Sequence, residues 1–249
     1  MVRRPRRNGG PGGTGDHALP LARIAGKLIF FVHVPKTGGT SIEAYMRAKG
    51  SVALTGTRRH GWSRTTPQHV QREIYQDLVP PEFYDHGFVV LRDPRARLLS
   101  EFRMRVEPFR PKLRPLGWWR IARNRARGVQ TYAARLGARL EFLDFDAWVE
   151  RSFAEYRRDP YYKDNHIRPQ HEFVDPAHRI FSFEQGLDPV FRWIDEVTGT
   201  PPAEGSFVQR RSAPLEIACS ERTDRLIRDF YREDYALISD LQSRRDDRP

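Results

Sequence analysis

Three short apolar runs punctuate the chain, each passing through a polar or glycine-rich turn into a stretch with helical spacing. Lys27 to Val34 (KLIFFVHV) is aromatic and β-branched and stops at Pro35, which predicts a buried strand entering a loop at Gly38 and Gly39. Thr40 or Ser41 is placed to cap a helix running to about Lys49. Thr66-Pro67 joins an N-cap residue to a proline at the first helical position, and Val70, Ile74 and Leu78 follow at helical spacing, so a helix is predicted from Pro67 to about Val79. Gly87 to Leu91 (GFVVL) is a second buried strand, ended by Arg92-Asp93-Pro94 ahead of a helix carrying Leu98, Leu99 and Phe102. Trp118 to Leu136 reads as a long basic helix, Phe145 to Phe153 as a shorter one, and Tyr156 to Asp175 as loop. Arg179 to Phe183 (RIFSF) alternates as a third strand, Asp188 caps a helix that Gly199 ends, and Glu221 to about Leu241 closes the chain as helix, broken near Glu233. Strands separated by helices imply an α/β fold with a central parallel sheet flanked by helices, and a ligand at the carboxyl ends of its strands.

The 249 residues suffice for one such domain. Hydrophobic residues at 39% and aromatics at 12% exclude a wholly disordered chain. No stretch free of Asp, Glu, Lys and Arg exceeds the eight residues of Leu28 to Pro35, whereas a membrane span needs roughly 18 apolar residues. Residues 1–26 are basic, broken by Pro and Gly and without an apolar centre, so a disordered basic tail is expected ahead of a single domain at 27–249. Cys219 is the only cysteine and no Asn-x-Ser/Thr sequon occurs, which points to a cytoplasmic protein.

Charge is concentrated. The chain carries +11 overall, and Arg95 to Arg139 alone holds thirteen basic residues against Glu101 and Glu107. A block of this kind predicts an anionic partner, whether nucleic acid, polyanionic saccharide or phosphorylated cofactor, or else a solvated helix surface.

The motifs narrow that choice. In His33-Val-Pro-Lys-Thr-Gly-Gly-Thr-Ser41, Gly38 and Gly39 allow close backbone approach and positive φ, so that successive N–H groups form an anion nest. Thr40 and Ser41 open a helix whose N-terminus favours an anion, and Lys36 adds a full charge. The lysine precedes the glycine pair, so this is not a Walker A loop, which makes a P-loop kinase a distant alternative. Arg92 at the end of the second strand and Ser100 two helical turns on are placed to share a phosphate.

PKTGGTS at Pro35–Ser41 and RDPRARLLSEF at Arg92–Phe102 together resemble the nucleotide-dependent sulfotransferases, most closely the carbohydrate-type branch that includes the heparan sulfate O-sulfotransferases and their bacterial relatives. The resemblance implies a P-loop NTPase-like three-layer fold, the donor 3′-phosphoadenosine 5′-phosphosulfate and no metal requirement. It implies that Lys36 contacts the leaving oxygen and the sulfuryl group, that Thr37, Gly38, Gly39, Thr40 and Ser41 surround the 5′-phosphate, and that Arg92 and Ser100 hold the 3′-phosphate. The acceptor is then a hydroxyl, of a saccharide or other small molecule, and needs a general base.

Of eight histidines, His69 in Thr66-Pro-Gln-His69 lies between the two motifs, where the resembling family keeps its base, and is the first candidate. His60 is expected at the surface and His33 in packing. His166 lies in Asn165-His-Ile-Arg-Pro-Gln170, a segment that resembles one near the acceptor site of related bacterial enzymes, so Asn165, Arg168 and Gln170 are candidates for binding acceptor or cofactor, or else belong to a loop held together by its own hydrogen bonds. A competing expectation is a non-catalytic polyanion or nucleic-acid binder using the basic block with Trp118 and Trp119 as stacking residues, although no nucleic-acid motif accompanies the charge. Tyr231 and Tyr235 are expected to pack.

Overall fold

The computed structural model describes residues 20–56, 58–106, 115–128, 130–136, 139–207 and 216–246. At its centre three strands run parallel, β2 (Lys27–Val32), β4 (His86–Leu91) and β7 (Arg179–Ser182), as the apolar runs predicted. The sheet as a whole is mixed, which corrects the all-parallel expectation. β1 (Leu21–Ile24) pairs antiparallel with β2, β3 (Ser51–Ala53) pairs antiparallel with β1, and the order is β3-β1-β2-β4-β7. β1 lies inside the stretch expected as tail. It turns into β2 through Ala25 and Gly26, both at positive φ (48° and 83°), the backbone that a two-residue hairpin needs to match the twist of its strands.

Side-chain alternation along the strands divides the core. Ile29, Phe31, Phe88 and Val90 face α1 (Gly39–Lys49), through Ile42, Tyr45 and Met46, and α6 (Asp188–Thr198), through Val190, Phe191 and Ile194. Phe30, Val32, Val89 and Leu91 face the opposite way, onto Val70, Tyr75 and Val79 around α2 (Arg72–Leu78), with Phe173 beside them. The result is a central mixed sheet flanked by helices. A third cluster joins α3 (Pro94–Val106), α5 (Phe145–Arg158) and α7 (Glu221–Phe230) through Leu98, Phe102, Trp148, Phe153 and Ile227.

Several predicted elements shift for identifiable reasons. The helix expected from Pro67 begins only at Arg72, because Thr66 gives both its N–H and its hydroxyl to Asp164 instead of capping a helix, and Gln71 is the extended residue at the helix start. The long basic helix is α4 (Pro115–Ala126) alone. Gly128 at φ 76° ends that region, and β5 (Tyr132–Leu136) then pairs with β6 (Arg139–Leu143) in a separate two-stranded sheet. Burial of Tyr132, Ala133 and Ala134 favours the hairpin, with the Tyr132 ring edge-on to Phe102 at 5.4 Å. α5 runs on to Arg158, and its N-cap Asp144 accepts from Ala147 N at 2.8 Å. The closing helix breaks at Tyr231, between α7 and α8 (Arg232–Asp246), two residues before Glu233. Tyr231 is buried there and donates to Ile167 O at 2.7 Å. Gly199 ends α6 at φ 62°, as expected, whereas Asp188 lies in the first turn of α6 and not at its cap.

Candidate active site

Between β2 and α1 the chain must reverse direction within six residues. It does so by placing Lys36 at φ 72° and Gly38 at φ 90° on either side of Thr37, whose hydroxyl donates to Val34 O at 2.8 Å. Left-handed residues alternating with ordinary ones turn successive N–H groups toward a common point. Ser41 N and Ile42 N donate to Gly38 O at 3.0 and 3.2 Å, so the amides of Gly39 and Thr40 stand at the open head of α1. A Cβ on Gly39 would lie 1.8 Å from His33 Nε2, so a side chain there requires that ring to move. Gly39→Ala is therefore expected to displace the His33 ring and cost about 1–3 kcal/mol of stability, the usual range for overpacking, measurable in a urea titration. An unchanged midpoint would show that His33 is free to move.

Arg92, at the carboxyl end of β4, reaches this loop. Its Nη1 donates to Lys36 O at 3.1 Å, and its guanidinium lies 4.5 Å from the Phe183 ring centroid. Gln170 fixes its backbone from behind, accepting from Arg92 N at 3.0 Å and donating to Arg92 O at 2.7 Å. Asp93 caps α3 by accepting from Ala96 N at 2.7 Å, and Ser100 lies half-buried further along that helix. Four residues on, Met104 meets Lys36, with Sδ 3.3 Å from Nζ. Lys36, Arg92 and the residues of α3 thus come together from separate parts of the chain.

Beside them stand three histidines, each with Nδ1 on a carboxylate. His33 lies 3.0 Å from Glu43 Oε1, His69 lies 2.6 Å from Asp164 Oδ2, and His166 lies 2.6 Å from Glu101 Oε2. The ring of His69 is edge-on to both others, at 4.8 Å from His33 and 4.9 Å from His166. Burial, reinforced by the two neighbouring imidazoles and only partly offset by Asp164, lowers the pKa of His69 to about 3. Burial would raise Asp164, yet hydrogen bonds from His69 and Thr66 outweigh it and bring the carboxyl down to about 2. Glu101, fully buried, is likewise held well below the usual carboxylate range by His166, Arg105 and Lys36 despite its burial.

Asp164 belongs to no motif, and nothing in the sequence marks it. Lys163, Asp164 and Asn165 lie at φ 52°, 61° and 62°, three successive non-glycine residues in the left-handed region. Each such residue costs of order 1–2 kcal/mol, and the turn they make delivers Asp164 to His69. His33 packs against Phe31 as expected but also adjoins His69, closer to the chemistry than packing alone implied. His60 is exposed and stacks on Trp62, as expected of a surface residue.

Asn165, Arg168 and Gln170 are all buried and hydrogen-bonded within the protein, as the alternative of a self-bonded loop implied. Asn165 Nδ2 donates to His69 O at 2.8 Å and to Gln71 Oε1 at 2.9 Å; Arg168 is bound to Asn165, Pro160 O and Glu172; Gln170 holds Arg92. They brace the site from within. The basic block divides similarly. Arg97 is fully buried and donates to His166 O and Arg168 O, and Arg105 sits on Glu101, while Trp118 and Trp119 on α4 are exposed. Residues 107–114 of the block lie outside the described residues.

Sheet and cluster define the class first: a mixed α/β protein whose candidate site lies at the carboxyl ends of the parallel strands β2 and β4. Over residues 25–189, a span that includes every candidate residue above, the chain matches the family described as the sulfotransferase family. It belongs to that family, and is an enzyme of sulfate transfer. Neither a curated protein nor a solved structure matches the chain. Among the described residues no helix is long and apolar enough to cross a membrane.

Proposed function

We propose that the protein moves a sulfuryl group from 3′-phosphoadenosine 5′-phosphosulfate to a hydroxyl of a carbohydrate or other small acceptor by in-line displacement, on a P-loop NTPase-like fold. The residues fit such a donor: paired left-handed positions shape a nest, and a glycine packed against His33 opens the head of α1. Bound there, the nucleotide supplies the sulfuryl group. The amides of Thr37–Ser41 and the hydroxyls of Thr40 and Ser41 hold the 5′-phosphate, Arg92 and Ser100 hold the 3′-phosphate, and Lys36 stabilises charge growing on the leaving oxygen. His69, its Nδ1–H held by Asp164, takes the acceptor's proton on Nε2. Asn165, Arg168 and Gln170 act as positioning residues. The reading of a cytoplasmic enzyme rests on cysteine and sequon content.

The observation that carries this proposal is the bond from the Arg92 guanidinium to Lys36 O, which brings the two motifs into contact. Calorimetric titration with 3′-phosphoadenosine 5′-phosphate tests it. The wild type is expected to bind one equivalent, and Arg92→Ala to bind roughly 10²-fold more weakly, because charge-assisted hydrogen bonds contribute about 1.5–3 kcal/mol each. A folded wild type that fails to bind would overturn the proposed donor.

A further inference from the structure

The histidine cluster has a second property that does not depend on the reaction proposed above. His69, Asp164 and His166 offer donor atoms that all lie within 4.8 Å of one another. His166 is fixed by its Nδ1 contact to the fully buried Glu101, at 2.6 Å, so Nε2 is the nitrogen left to an incoming ion. Asp164 is equally fixed, with one carboxylate oxygen taking Thr66 N and the other taking Thr66 Oγ1 and His69 Nδ1. Its side chain is 27% exposed, which leaves an entry from solvent.

Two imidazoles and one carboxylate suit zinc and its neighbours, whereas magnesium and calcium take oxygen ligands. A carboxylate on the far nitrogen of a ligating histidine is the outer-shell arrangement such sites use, and Glu101 already stands in that place. Donors bound at about 2.0–2.2 Å to one ion lie roughly 3–3.5 Å apart, so a pair separated by the full 4.8 Å must close by about 1.3–1.8 Å while the His69–Asp164 pair, at 2.6 Å, opens by less than about 1 Å, both within the reach of side-chain rotation.

We propose that His69, Asp164 and His166 form a binding site for a divalent transition-metal ion of the zinc class. The ion enters between His69 Nδ1 and Asp164 Oδ2, and the proton these two share leaves to solvent. The ion and the resting hydrogen-bonded pair are therefore mutually exclusive states of the same residues.

The full chain, freed of metal by dialysis against chelator, is titrated with Zn²⁺ by calorimetry and with Co²⁺ by visible absorption. One saturable equivalent is expected, with ligand-field bands for Co²⁺. His166→Ala is expected to bind at least tenfold more weakly, while His60→Ala, altered at an exposed histidine outside the cluster, binds as the wild type does. Histidine C–H resonances of the wild type give a measurement that needs no variant: Zn²⁺ is expected to shift those of His69 and His166 and leave His60 in place. Absence of saturable binding, undiminished affinity in His166→Ala, or a response centred on His60 would each overturn the site. Nucleotide titration of the same sample reports separately on the sulfotransferase assignment.

Discussion

Lys36→Ala is expected to lose roughly 10²–10³-fold or more in kcat, the range for removing one preorganised donor from a developing negative charge, while binding 3′-phosphoadenosine 5′-phosphate within a few-fold of the wild type. The loop explains the separation. Lys36 holds φ 72°, and its carbonyl is anchored by Arg92 Nη1, so the backbone of this residue belongs to the cradle and only its side chain reaches toward Met104 and the far part of α3. Alanine keeps a Cβ in the same left-handed region and so leaves the backbone cost nearly unchanged. The variant therefore reports on the ammonium group. Single-turnover rates with a saturating donor would measure the effect, and a rate within a few-fold of wild type would remove Lys36 from the chemistry.

The parts of this molecule that were legible in its sequence are those where one local rule sufficed. KLIFFVHV and GFVVL are buried on both faces and surface as continuous apolar runs, so β2 and β4 and their carboxyl ends were placed directly. The glycine pair and Arg92 were legible because each has a use that depends only on its neighbours. Elements decided by distant partners were not. Thr66 looked like a helix cap, but its two donors are claimed by Asp164, 98 positions away, and the helix start moves to Arg72. For Asn165, Arg168 and Gln170 the sequence leaves open both a ligand contact and a loop held by its own hydrogen bonds. Their polar groups bond Gln71, His69 O, Glu172 and the backbone of Arg92, pairings that no spacing reveals.

Asp164 was illegible for a further reason: lysine, aspartate and asparagine in succession give no sign of a left-handed turn. That turn is the route to the other large effect. His69→Gln is expected to lower kcat by roughly 10²–10⁴-fold, the contribution of a positioned general base. Asp164→Asn is expected to lose about tenfold or more with little loss of fold, because asparagine tolerates the left-handed conformation better than most residues. The amide cannot pin the tautomer as the carboxylate does. When its NH₂ faces His69 Nδ1 the ring proton moves to Nε2, and the nitrogen needed to accept the hydroxyl proton is blocked.

The pH dependence follows with a definite sign. His69, lowered to about 3, is neutral at every pH above that value, so the activity profile shows no acid limb near 6.5 from this residue. The unfolded chain takes up the proton near 6.5 and the native state resists it, so stability falls as pH drops from 6.5 toward 3. Asp164, depressed to about 2, acts lower, adding stability that is lost between its ordinary value near 4 and 2. His69→Gln is therefore expected to flatten the decline in stability between pH 6.5 and 4, and urea midpoints across that window would show it. A variant as acid-sensitive as the wild type there, or an Asp164→Asn enzyme with undiminished kcat, would mean that the pair is structural and the base lies elsewhere.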